Sequence, residues 1–180
     1  MRAAFLDRDG VLVVSDVVDG VPTPAAEPRL LPGVAEACRR LHDAGLLLVM
    51  VTNQPDVARG RVDRAAVDAV NDGLRRALGL DDVRVCPHDD ADGCRCRKPA
   101  PGMLLDAARE AGVDLAASVM VGDRWRDIEA GRSAGTRTVF VDHGHPERRP
   151  DAPDLVVASL LDAVPFIVRT TSQGSGETHG

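Results

Sequence analysis

The chain has 180 residues, 44% of them hydrophobic and 28% charged, which is enough apolar material for one domain to bury a core. A formal charge of −6 argues against a general polyanion-binding surface, and so against nucleic acid as a partner, while leaving room for a local cluster of Arg and Lys that holds a small phosphate. No stretch approaches the roughly 20 apolar residues that span a bilayer, and the first segment lacks a signal peptide's charged and apolar regions, so a cytoplasmic protein with no membrane partner is expected.

Residues 3–6 (AAFL) read as a short strand, and 46–51 (LLLVMV) as a strand buried on both faces. Between them, residues 32–44 open on Pro-Gly and repeat Val34, Ala37, Cys38 and Leu41 at helical spacing, which makes a strand, crossover helix, strand unit. The alternation continues with a helix at 62–78, a strand at 83–86, a helix at 102–111, a strand at 118–121, a helix at 125–134 and a strand at 136–141. Residues 142–154, rich in Pro, His and charge, read as a surface loop before a last strand at 155–157 and a helix from about 159. Residues 1–168 are expected to form one domain and 169–180 a disordered tail, because TTSQGSGETHG has nothing to bury. The fold class is therefore α/β, a doubly wound parallel sheet with right-handed connections, and its ligands should gather at the carboxyl ends of the strands. No spare apolar helix face is evident, which points to a monomer.

Three of the predicted strands run into polar residues: Asp7, Asp9 and Gly10 after the first, Thr52, Asn53 and Gln54 after the second, and Gly122, Asp123 and Arg124 after the fourth. Taken singly, such residues are ordinary caps and turns. Together they bring two carboxylates one residue apart at a buried strand end, with a third on another strand, and a hard divalent cation is the simplest way to keep them ionised. One Asp could then attack phosphorus while the other moves the proton, with Thr52 and Lys98 holding the phosphoryl oxygens. Asp127, one turn beyond Asp123, either supports that cation or sits exposed beside an Arg.

Cys86, His88, Cys94 and Cys96 offer four soft or borderline ligands within one loop, the set that Zn²⁺ takes tetrahedrally with no open position. A structural zinc there would fix Arg97 and Lys98, which follow immediately. Gly93 relieves the turn, and Cys38, on the apolar face of a helix, is a core residue.

The segments FLDRDGVL, VTNQ, CRKP and VGDRWRD resemble the four ordered motifs of the haloacid dehalogenase-type phosphatases over residues 3–141. The resemblance implies a Rossmann-like fold, Asp7 as nucleophile, Asp9 as general acid and base, and Thr52 and Lys98 as phosphate binders. It also implies Mg²⁺ held by Asp7, Asp123 and the Asp9 main-chain carbonyl. With the cysteine loop, the chain is similar to the small capless branch that includes heptose bisphosphate and histidinol-phosphate phosphatases. TNQPDVARG and CRCRKPAPGM lie nearer the heptose enzymes, which implies a phosphorylated sugar bound through Thr52, Asn53, Gln54, Arg59, Arg97 and Lys98. The stretch 11–32 lacks the Asn and Gly-Tyr features usual in those enzymes, so histidinol phosphate or another small phosphate ester remains an alternative. Two other classes share parts of the pattern. A phospho-receiver domain would carry its acids on different strands and need no zinc loop, and an inactive scaffold would not need every chemical position filled.

Overall fold

The computed structural model describes residues 1–15, 17–18, 21–22 and 28–172. Ala3–Leu6 (β1) is followed by the short strands Val17–Val18 (β2) and Val21–Pro22 (β3), then Val34–Asp43 (α1) and Leu47–Asn53 (β4). Next come Arg64–Leu78 (α2), Asp82–Cys86 (β5), a single 3-10 turn at Asp90–Asp92 and Gly102–Ala111 (α3). Val119–Gly122 (β6), Trp125–Ala134 (α4), Arg137–Val141 (β7), Leu155–Val157 (β8) and Leu160–Ser172 (α5) complete the order.

Six strands form one parallel sheet in the order β5-β4-β1-β6-β7-β8, the doubly wound arrangement read from the sequence. The chain builds outward from β1 through β4 to β5, then crosses to β6 on the other side of β1. The direction of winding thus reverses at β1, and the carboxyl ends of β1, β4 and β6 diverge there into a crevice suited to ligands.

Period-two alternation divides the core between the two faces. Ala4, Leu6, Leu48, Met50 and Val121 face α1, α2 and α5, where Leu41, Leu74 and Ile167 pack against them. Ala3, Phe5, Val49, Val51 and Met120 point the other way, toward Met103, Leu104 and Ala107 of α3. Cys38 is buried in the first of these clusters, as its helical spacing predicts. Among the described residues, no helix is long and apolar enough to cross a membrane.

Three details differ from the sequence expectation. The hairpin β2–β3 falls between the first predicted strand and helix, where the sequence predicts no element, because two-residue strands carry no periodicity. β4 runs two residues past its apolar stretch, so Thr52 and Asn53 lie inside a strand rather than after it. Helix α5 continues through Ser172, where order was not expected beyond Arg169. The Thr171 hydroxyl donates back to the Ile167 carbonyl at 2.7 Å and the Thr171 carbonyl accepts from Arg2 at 3.0 Å, so these polar residues are held by hydrogen bonds. Residues 173–180 of the expected tail lie outside the described residues.

Ile167 is fully buried and Leu105 is 41% exposed. Ile167→Ala should lower unfolding free energy by about 2–5 kcal/mol and Leu105→Ala by less than about 0.5 kcal/mol in urea denaturation. Equal effects would contradict the assignment of α5 to the core.

Candidate active site

The site forms where β1, β4 and β6 end. Leu6 pairs with Met50 on one side and Val121 on the other, and the next backbone N–H, that of Asp7, donates to the Val121 carbonyl at 3.0 Å. Asp7 therefore leaves the sheet at its centre. The chain turns through Gly10, at φ 85°, where an added Cβ would stand 2.1 Å from Asp123 Oδ2, so this position must be glycine for the acid of β6 to approach β1.

Lys98 reaches the same point from the loop after β5. Its Nζ lies 2.7 Å from Asp7 Oδ1, 2.6 Å from Asp127 Oδ1 and 2.9 Å from the Val51 carbonyl, giving each of three ammonium protons an acceptor. Asp7, Asp123 and Asp127 are all buried, with ligand oxygens within 4.8 Å of one another. Burial disfavours the Lys98 charge, yet Asp127 and Asp7 outweigh it and hold the ammonium above its ordinary range. One ammonium does not balance three carboxylates. Burial, with the charge of Asp127 adding to it, pushes Asp7 up to about 7 against the pull of Lys98, and burial with Asp7 and Asp127 pushes Asp123 up to about 8.

The residues fit a divalent cation on two grounds. The charge deficit of the cluster is two, and Asp123 Oδ1 is buried without a hydrogen-bond partner among the described residues. Asp127 resolves in favour of the site: it is 2% exposed and paired with Lys98, where an exposed helix position was the other reading.

Of the remaining predicted residues, Asn53 bonds to Lys98, and Asp9, Gln54 and Thr52 are linked to one another, whereas Arg59 and Arg97 pair with acids of the cysteine loop. Asp9 stands on the outer side, its Oδ2 accepting from Gln54 Nε2 at 3.0 Å and from Arg8 Nε at 3.1 Å. Gln54 also donates to the fully buried Thr52 hydroxyl at 3.0 Å. Asn53 grips the Lys98 backbone from both sides, donating to its carbonyl at 3.0 Å and accepting from its N–H at 3.1 Å, so it positions the lysine. Arg97 spends its Nε on Asp90 Oδ1 at 2.7 Å, an oxygen shared with Arg126 at 2.9 Å. Arg59 is occupied further: its Nε and Nη2 fork the Asp89 carboxylate at 2.7 and 2.9 Å, and Nη1 lies 3.5 Å from Asp56. A cleft of about 660 Å³ opens beside Asp9 and Gln54, walled by Arg8, Arg61, Val13 and Val67.

The cysteine loop is closed. Cys86 Sγ is 3.6 Å from His88 Nδ1 and from Cys94 Sγ, and Cys96 Sγ is 3.3 Å from Cys86 Sγ, Cys94 Sγ and His88 Nδ1. A tetrahedron of Zn–S bonds near 2.3 Å has edges of roughly 3.8 Å, so four ligand atoms at these separations fit that ion. The 3-10 turn within the loop opens on a capping box, Asp89 accepting from the Asp90 N–H and Asp92 from the Asp89 N–H, and it ends at Gly93 with φ 58°. Burial opposes ionisation of Cys94, but hydrogen bonds from the Cys96 thiol and the Arg97 N–H bring it down to about 7.

Sequence reasoning missed two histidines. His143 Nε2 is 2.7 Å from the Gly10 carbonyl and His145 Nε2 is 3.0 Å from Asp123 Oδ2, both from the stretch read as a plain surface loop. The signal available was their position directly after a strand carboxyl end.

Residues 95–163 match the HAD-hydrolase-like family model. The D-glycero-β-D-manno-heptose-1,7-bisphosphate 7-phosphatase of Bordetella bronchiseptica is 41% identical over 150 residues, covering 81% of this chain and 83% of that protein. The enzyme of the same name from Escherichia coli K12 is 37% identical over 175 residues, covering 89% and 90%. A crystal structure of the B. bronchiseptica D,D-heptose 1,7-bisphosphate phosphatase, complexed with magnesium and phosphate, superposes with a TM-score of 0.80 at 34% identity, covering 94% of this chain and 99% of that one. Shared length, fold and identity make this chain a phosphatase: it belongs to the heptose-1,7-bisphosphate 7-phosphatase family of HAD-like hydrolases.

Proposed function

We propose that this cytoplasmic enzyme removes the 7-phosphate of D-glycero-D-manno-heptose 1,7-bisphosphate, with Mg²⁺ held by Asp7, Asp123 and the Asp9 main-chain carbonyl. The observation that carries the reading is the buried meeting of Asp7, Lys98 and Asp123 at the centre of the sheet, in a chain so similar to enzymes of that name. When bound, the cation neutralises the acidic cluster and acts as a Lewis acid on the phosphoryl oxygens. The Asp7 carboxylate attacks phosphorus, and the bond to the sugar O7 breaks. Asp9 gives its proton to that oxygen, then takes one from the water that attacks the aspartyl-phosphate, releasing phosphate and restoring Asp7. Lys98 and the Thr52 hydroxyl hold the phosphoryl oxygens as charge moves among them. Val51 and Asn53 fix Lys98 for this task, and Gln54 links Thr52 to Asp9.

The cleft beside Asp9 has room for the sugar. Arg97 retains Nη2 beyond its bonds to Asp90 and to the His88 carbonyl and is the cation we assign to the distal phosphate. Arg59, with its fork filled by Asp89, acts by bracing the zinc loop. In that loop Cys86, His88, Cys94 and Cys96 hold a structural Zn²⁺ that fixes the approach of Arg97 and Lys98 to the site.

Asp7→Asn should lower phosphate release by about 10³-fold or more and Asp9→Asn by about 10²–10⁴-fold, read as kcat at saturating Mg²⁺. Activity surviving Asp7→Asn would sink the assignment. In a panel of both anomers of the heptose bisphosphate, histidinol phosphate and fructose bisphosphate, the heptose compound should give the highest kcat/KM. Preference for histidinol phosphate would overturn the substrate.

Metal analysis of the purified protein should give about one zinc per chain, and Cys94→Ser should remove it and lower the thermal midpoint. A fully stable, fully active protein without zinc would contradict the structural role.

A further inference from the structure

The loop after β7 is tied to both elements that carry the metal-site acids. Its start is fixed where the Asp142 N–H donates to the Val157 carbonyl at 2.8 Å. Asp142 then accepts from the Gly144 N–H at 2.9 Å and pairs with Arg149 at 2.6 Å, which braces the His143-Gly144-His145 turn from within. The two imidazoles meet edge to face with ring centroids 5.7 Å apart. His143 Nε2 reaches the Gly10 carbonyl at 2.7 Å, and His145 Nε2 reaches Asp123 Oδ2 at 3.0 Å.

An isolated carboxylate offers a cation two equivalent oxygens and can rotate between them, and the freedom it loses on binding weakens the site. Asp123 is not isolated. One oxygen, Oδ2, receives His145 and, at 3.3 Å, Arg124 Nε, while the other, Oδ1, is buried and has no hydrogen-bond partner among the described residues. Arg124 is shared, because its Nη1 holds Glu147 at 2.8 Å, which leaves His145 with the shorter bond to Asp123.

We propose that His145 is a positioning residue for the divalent-cation site: its Nε2–H occupies Asp123 Oδ2 so that Oδ1 is presented to the cation, while His143 anchors the loop on Gly10. The proposal rests on the reading above that Asp7 and Asp123 hold the cation. Imidazole and carboxylate partners around a ligand oxygen fix its direction before the metal arrives, and loss of such a partner costs about 10–100-fold in affinity.

The test is Mg²⁺ titration of the full-length protein by calorimetry, alongside the Mg²⁺ activation constant with substrate in excess. His145→Ala should raise the Mg²⁺ Kd about 10–100-fold, with a smaller change in kcat at saturating Mg²⁺. His145→Gln, which keeps an N–H donor, should recover most of the affinity. An unchanged Kd in His145→Ala would overturn the proposal, even if the metal-free thermal midpoint fell, since that pattern marks mere loop packing. A Gln variant as weak as the Ala variant would overturn the donor role. Absence of Mg²⁺ binding by the unsubstituted protein would instead overturn the cation reading beneath it.

Discussion

One buried ammonium sets the terms for the rest of the site. Lys98 stands 2.7 Å from Asp7 and 2.6 Å from Asp127, and at an effective dielectric near 20 each contact attracts by about 6 kcal/mol. Two carboxylates within 4.8 Å of one another repel by at least about 3 kcal/mol on the same scale, and the cluster contains three. The lysine thus holds the acids together without balancing them. Burial first, and the neighbouring carboxylates after it, push Asp7 up to about 7 and Asp123 up to about 8, a penalty that a divalent cation would relieve. In the nucleophilic role proposed for Asp7, ionisation would therefore be coupled to metal binding.

The fold serves that arrangement. Asp7, Lys98 and Asp123 come from segments far apart in sequence and converge because winding reverses at β1. Lys98 does not sit on a strand, so its position depends on neighbours: Asn53 holds its backbone from β4, and the closed cysteine loop leads into it. The acidic residues of that loop draw in Arg59, Arg97 and Arg126. Charged groups that look redundant in sequence are therefore brought to one rim.

Much of this was legible in the sequence because the signals were local. Short apolar runs ending in Asp7, Thr52 and Asp123 gave both the parallel sheet and the residues at its carboxyl edge, and the spacing of Cys86, His88, Cys94 and Cys96 gave a closed ligand set. What sequence did not reveal is which partner each polar group takes. The resemblance offers Arg59 and Asn53 as substrate contacts without saying that the first also meets Asp89 and the second the Lys98 backbone. Asp127 read equally as exposed or as part of the site, since helical phase alone does not say that Lys98 will arrive there. His143 and His145 were hidden for a related reason: a loop with no periodicity gives no direction to its side chains, and only the fold carries it over Gly10 and Asp123.

The claim on which the mechanism stands is that the phosphoryl group passes through the Asp7 carboxylate. It can be tested by mixing enzyme, Mg²⁺ and heptose bisphosphate, quenching in acid during turnover, and reducing with borohydride, which converts an aspartyl-phosphate to homoserine. Peptide mass spectrometry should then find homoserine at position 7 and nowhere else. Reduction at another acid, or none during rapid turnover, would contradict the account.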